Sequence, residues 1–152
     1  MKHRSSTEPA LLNLLDIARL AALHAYAPYS GFRVGAALRL VDGGVITGTN
    51  VENASYGLSI CAERAALVRA VSQFGPEVRI EAVAVANLND AANPPCGACR
   101  QMLAEFTLPD APVIFPTDNG VLTMPFRDLL PRVFAMRVRL DAENVPDADA
   151  PE

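Results

Sequence analysis

The sequence predicts an α/β fold, a three-layer α-β-α sandwich around a mixed five-stranded sheet. Three observations carry this. The elements read in the order α-β-β-α-β-α-β-β, which places helices on both faces of one sheet. Residues 78–86 (VRIEAVAVA) become almost continuously apolar toward their end, as expected of a strand buried on both faces. The Asp42-Gly43-Gly44 step joins two β-type runs, and glycine accepts the positive φ that a tight hairpin needs. A chain of 152 residues suits one domain. We expect that domain over residues 1–140, with a mobile polar arm at 1–6 and an acidic, disordered tail at 141–152.

Each element has its own local reason. Thr7 or Glu8 caps a helix opened by Pro9, and Leu11, Leu14, Leu15, Ala18, Ala21, Ala22 and Ala25 form its apolar stripe before Pro28 ends it. Tyr29-Ser30-Gly31 makes a turn. Residues 32–41 and 44–49 are the hairpin strands. Residues 50–60 are polar and aperiodic, hence a loop, with Ser59 placed as an N-cap for a helix over 61–74 that Gly75-Pro76 stops. After the strand at 78–86, the Asn-, Asp- and Pro-rich stretch 87–95 is a loop. Residues 96–106 form a further helix, 112–115 and about 120–124 short strands, and 126–130 a helical turn ended by Pro131.

Charge and hydropathy exclude several classes. The net charge is −4, but residues 141–152 hold five acidic side chains, so the remainder carries +1. A near-neutral body offers no basic groove for a phosphate backbone, so no nucleic-acid partner is expected. No apolar run approaches the ~18 residues of a membrane span, and no signal-peptide pattern opens the chain, so neither a membrane nor secretion is expected. The cytoplasm is the expected compartment. Three cysteines, an odd number, argue against a disulfide framework there and for metal or redox chemistry.

All three cysteines sit at or beside expected helix N-termini. Cys96 and Cys99 are spaced to share a helix face, and Cys61 opens the preceding helix. Three thiolates suit zinc, and three protein ligands with one open position mark a catalytic rather than a structural site. His3 and His24 lie outside the cysteine motifs, and His24 reads as a helix-face side chain. Glu63 lies two residues after Cys61, a spacing that does not bring two side chains together on a regular helix. The two converge if Cys61 caps the helix. A carboxylate beside the metal would then accept a proton from a bound water, whose pKa the metal lowers toward ~7.

The segment Cys61-Ala62-Glu63-Arg64, followed by Pro95-Cys96-Gly97-Ala98-Cys99-Arg100-Gln101, resembles the zinc-dependent nucleoside and nucleotide deaminases, whose pattern is a His or Cys, then x-E, then P-C-x-x-C. Residues 29–38 (YSGFRVGAAL), 48–58 (GTNVENASYGL) and 129–134 (LLPRVF) are similar to further blocks of the small homotetrameric, three-Cys cytidine deaminases. The matches run from about residue 18 to residue 134 in family order. Arg33 departs from the proline common at that place in the family.

The resemblance implies hydrolytic deamination of cytidine and deoxycytidine to uridine and deoxyuridine, a step of pyrimidine salvage, with Zn²⁺ as cofactor, one per chain. Cys61, Cys96 and Cys99 would be its ligands and Glu63 the general acid/base. Arg64 would offset the −1 charge of three thiolates on a divalent ion. Asn50 and Glu52 would hold the ribose 3′-hydroxyl, and the Ala62 N–H would contact the base carbonyl. Phe32 would pack near the nucleoside, while Ala54, Tyr56 and Phe134 would act across subunit boundaries of a homotetramer with shared sites. Two other readings stand beside it: a deaminase of another small aminopyrimidine, and a non-catalytic zinc module, which would have a fourth protein ligand.

Overall fold

A computed structural model describes residues 8–136; the expected arm at 1–6 and the tail at 141–152 lie outside the described residues. The elements are α1 (Pro9–Ala22), β1 (Val34–Leu40), β2 (Val45–Thr49), α2 (Ala62–Phe74), β3 (Ile80–Asn87), α3 (Gly97–Ala104), β4 (Pro112–Thr117), β5 (Gly120–Pro125) and α4 (Phe126–Leu129). Their order along the sheet is β2-β1-β3-β4-β5. Only the β3–β4 pair is parallel, so the sheet is mixed, as expected. The parallel pair is the one joined through a helix, because a crossover is what parallel neighbours require.

Strand periodicity sorts the core into two layers. On β3, Ala82, Ala84 and Ala86 face α1, where they meet Leu11, Leu14 and Ala18. Val83 and Val85 face the other side, where Ala66 and Leu67 of α2 and Leu103 of α3 cover them. Small residues on the first face let α1 lie close. At Gly35 an added Cβ would stand 1.9 Å from the Ala18 carbonyl oxygen. Gly48 does the same for α2: a Cβ there would stand 2.3 Å from the Ala66 nitrogen and 2.5 Å from the Ala62 oxygen. The first turn of α2 is thereby seated directly on β2.

Three expectations are corrected, the first two by pairing between distant segments and the third by a contact within one loop. The first helix ends at Ala22 rather than Ala25, because Tyr26 pairs with Val51 and pulls the chain into extended form. The helix expected over 96–106 ends at Ala104, because Phe106 and Leu108 exchange backbone hydrogen bonds with Ile80. Ser59 is not the cap of α2. Its Oγ accepts the Asn53 N–H, and Cys61 takes the N-cap position. The loop at 50–60 also has internal order, with a Val51–Ile60 bridge and a single 3₁₀ turn at Tyr56–Leu58.

Candidate active site

Both helix N-termini that carry cysteines open at one end of the sheet. Cys61 (φ −72°, ψ 155°) caps α2 and Cys96 (φ −68°, ψ 165°) caps α3, both in extended conformation. Each cap carbonyl accepts the first helical N–H, from Ala65 and Arg100 respectively. Because Cys61 is the cap and not a helical residue, its thiol and the Glu63 carboxyl point into a common space despite their spacing of two.

The Cys61 and Cys96 sulfurs are 3.7 Å apart, the Cys96 and Cys99 sulfurs 3.5 Å, and all three lie within 4.8 Å of one another. Tetrahedral zinc with Zn–S bonds of about 2.3 Å sets its sulfurs about 3.8 Å apart. The trio fits that ion. Its charge is already partly organised: a hydrogen bond from Cys99, then one from Arg64, hold the Cys61 thiol down to about 5 against the opposing effect of burial. The same Cys61 contact, with burial, pushes the Cys99 thiol well up. The Arg64 guanidinium lies 3.8 Å from the Cys61 sulfur and donates to the Ser59 carbonyl at 3.2 Å.

Glu63 is only 4% exposed, one of three buried polar residues among the described residues. Burial pushes its carboxyl up to about 7, with the nearby Cys61 charge adding to the rise. A proton carrier with a pKa near the operating pH is the form that general acid/base catalysis favours.

Cys61, Cys96 and Glu63 floor a cleft of about 360 Å³, within the usual range for small-molecule sites, and Cys99 is buried behind them. Its lining includes Phe32, Asn50, Glu52, Tyr56, Cys61, Ala62, Glu63 and Cys96. Asn50 is committed on both amide atoms, accepting the Val34 N–H at 2.8 Å and donating to the Phe32 carbonyl at 2.7 Å. Glu52 accepts the Tyr29 and Ser30 N–H groups at 3.0 and 3.2 Å and the Ser30 hydroxyl, and these contacts, the hydroxyl foremost, lower its pKa. Ala54 and Phe134 do not line this cleft; Phe134 is 72% exposed. His24 is exposed and outside the thiol cluster.

Sequence reasoning missed Asn93, which lines the cleft with its Nδ2 buried and without a hydrogen-bond partner among the described residues. An Asn in an Asn/Pro-rich loop carries no signal of its own. The roles of Arg100 and Gln101 were also missed. Arg100 donates to the carbonyls of Pro95 and Leu129, and Gln101 to that of Phe134, so α3 holds the closing segment. Arg33 ties the start of β1 to the Leu23 carbonyl at the end of α1.

Residues 10–115 match the family described as the cytidine and deoxycytidylate deaminase zinc-binding region. The chain belongs to that family. A cytidine deaminase of Halalkalibacterium halodurans is 49% identical over 113 residues, covering 72% of this chain and 83% of the relative. One from Mycobacterium tuberculosis is 42% identical over 116 residues, covering 76% and 83%. Among solved structures, the cytidine deaminase of Burkholderia pseudomallei superposes with a TM-score of 0.73 at 42% identity, covering 88% of this chain and all of that one. The one from Mycobacterium leprae gives 0.70 at 40%, covering 82% and all of that chain. The deaminase fold is therefore the α/β fold described above. The family's matched region is a zinc-binding one, and the cluster of Cys61, Cys96 and Cys99 is what fits zinc here. Among the described residues, no helix is long and apolar enough to cross a membrane.

Proposed function

We propose that this chain hydrolyses cytidine and deoxycytidine to uridine and deoxyuridine with release of ammonia, as a step of pyrimidine salvage. The observation that carries the proposal is a trio of zinc-spaced thiols, two of which, Cys61 and Cys96, meet a buried carboxyl on the floor of one nucleoside-sized cleft while Cys99 is buried behind them. Bound zinc lowers the pKa of a coordinated water toward about 7, which supplies the nucleophile for C4 of the base at neutral pH.

The protein's own residues do the rest. Glu63 accepts the proton that the attacking water gives up and delivers it to N3, then carries the second proton of that water, released from the new C4 hydroxyl as the carbonyl forms, to the exocyclic nitrogen so that it leaves as ammonia. Burial at 4% exposure keeps bulk water from competing for that proton. Ala62, buried in the first turn of α2, offers its N–H to the base carbonyl, where the helix N-terminus favours partial negative charge. Arg64, beside Cys61, and the N-termini of α2 and α3 offset the excess thiolate charge. Phe32 packs on the nucleoside. Glu52 and Asn50, held rigidly, take the ribose 3′-hydroxyl. An ionised Glu52 repels phosphate, which favours nucleosides over nucleotides.

The active form is a homotetramer with shared sites. Tyr56 and Phe134 are 81% and 72% exposed, a poor state for aromatic rings in a lone chain. In the tetramer Phe134 and Ala54 close a neighbouring cleft, while Tyr56 lines the cleft of its own chain, where the resemblance had assigned it to a neighbour's. The catalytic unit is residues 1–140, and a cluster of reduced thiols suits the cytoplasm.

A substrate panel followed by ultraviolet absorbance, with light scattering on the same sample, tests this. Cytidine and deoxycytidine should turn over, CMP and dCMP hardly at all, and the active species should have four times the mass of one chain. Preference for a nucleotide or for a base without sugar would defeat the substrate assignment. A fully active single chain would defeat the shared site.

A further inference from the structure

The wall of the cleft is made by two segments far apart in sequence, and one small side chain joins them. Ser30 sits in the turn between α1 and β1, where Gly31 adopts φ +70°. The Ser30 hydroxyl donates to Oε1 of Glu52 and accepts the Phe32 N–H at 2.9 Å. A serine hydroxyl has one proton to give and two lone pairs, so this placement uses its donor fully. The backbone N–H groups of Tyr29 and Ser30 occupy Oε2 of the same carboxylate. Glu52 thus takes three donors, against the roughly four lone-pair sites of a carboxylate, and keeps about one for a ligand. Phe32 is tied in turn to Asn50, which accepts from Val34 and donates to the Phe32 carbonyl.

We propose that Ser30 is a positioning residue that sets nucleoside affinity, fixing the Glu52 carboxylate in the placement that a ribose 3′-hydroxyl needs. This rests on the reading of Glu52 as the acceptor for the 3′-hydroxyl. The hydroxyl touches neither the cysteine cluster nor Glu63, so its effect falls on binding rather than on the chemical step. It also orients the remaining Glu52 lone pair. Without the Ser30 hydroxyl the carboxylate keeps only its two backbone donors, both on Oε2, and Oε1 loses the contact that fixes its direction.

The test is steady-state kinetics of Ser30→Ala against the wild-type chain, on cytidine and on 3′-deoxycytidine, with zinc content and melting temperature measured on both proteins. Loss of one charge-assisted hydrogen bond is worth about tenfold. We expect the KM for cytidine to rise by about that factor while kcat stays within about twofold, the pattern of lost uniform binding. With 3′-deoxycytidine the two proteins should show the same KM, because the contact that Ser30 organises has no partner there. Ser30→Thr, which keeps the hydroxyl, should recover most of the loss. An unchanged KM for cytidine, or an equal rise on both substrates, would overturn the inference, the second outcome marking a merely structural turn. A wild-type chain inert toward all nucleosides would defeat the functional reading instead. In that event, calorimetric titration with cytidine and 3′-deoxycytidine still reads the Ser30 effect by itself, with the same two results deciding.

Discussion

The floor and the wall of the cleft are built on different principles. The floor consists of groups at the starts of α2 and α3: two capping cysteines, a third one turn into α3, and Glu63 at the second helical position. Backbone geometry places them, and the residue types follow from metal chemistry. The wall consists of loop side chains stitched to backbone atoms some twenty positions away, Glu52 to Tyr29 and Ser30, and Asn50 to Phe32 and Val34. The floor therefore governs the reaction and the metal, and the wall governs affinity. Substitutions in the two should separate cleanly into kcat and KM effects.

The largest effect should come from Glu63→Ala. General acid/base groups are commonly worth 10²–10⁴-fold, and a group serving several proton transfers belongs at or above the upper end of about that range. Zinc content and fold should be retained. Turnover above about a tenth of wild type would remove Glu63 from its role and dissolve the distinction between floor and wall. Arg64→Ala comes next. Losing the cation beside Cys61 should cost about 10–100-fold in turnover and weaken zinc retention along with it. Unchanged values of both would show that the helix N-termini alone balance the thiolate charge. The roughly tenfold KM effect of Ser30→Ala is the corresponding number for the wall.

The smallest effects concern the seats of the helices. Gly35→Ala and Gly48→Ala each force a Cβ into helix backbone, and overpacking of this kind typically costs about 1–3 kcal/mol. Both should lower the urea midpoint. Only Gly48→Ala should also loosen zinc, because it displaces the turn that carries Cys61 and Glu63, whereas Gly35 seats α1 on the opposite face. Equal zinc retention in the two variants would mean that the floor does not depend on the α2 seat.

The same division explains what could be read in the sequence. The order of elements along the chain, the hairpin and, within a residue, both helix starts near Cys61 and Cys96 were legible, because apolar periodicity and glycine turns are local. The thiol cluster was legible because metal ligation restricts residue type. Helix ends at Ala22 and Ala104 were not, since pairing of Tyr26 with Val51 and of Phe106 and Leu108 with Ile80 decides them. For the same reason the sequence offered Asn50 and Glu52 only as groups that the resemblance implies hold the ribose. In the fold each is first a clamp on the 29–34 segment, and Ser30, Asn93 and Gln101 gain meaning only from partners distant along the chain.

The central claim is that one zinc ion on three thiols, served by Glu63, performs the reaction. The most direct measurement removes zinc with a chelator and returns it in steps, following metal content and cytidine turnover on the same samples. Turnover should fall to background in the stripped protein and rise in proportion to zinc, reaching its limit at one ion per chain. Turnover that persists without zinc, or that saturates away from one ion per chain, would contradict the account.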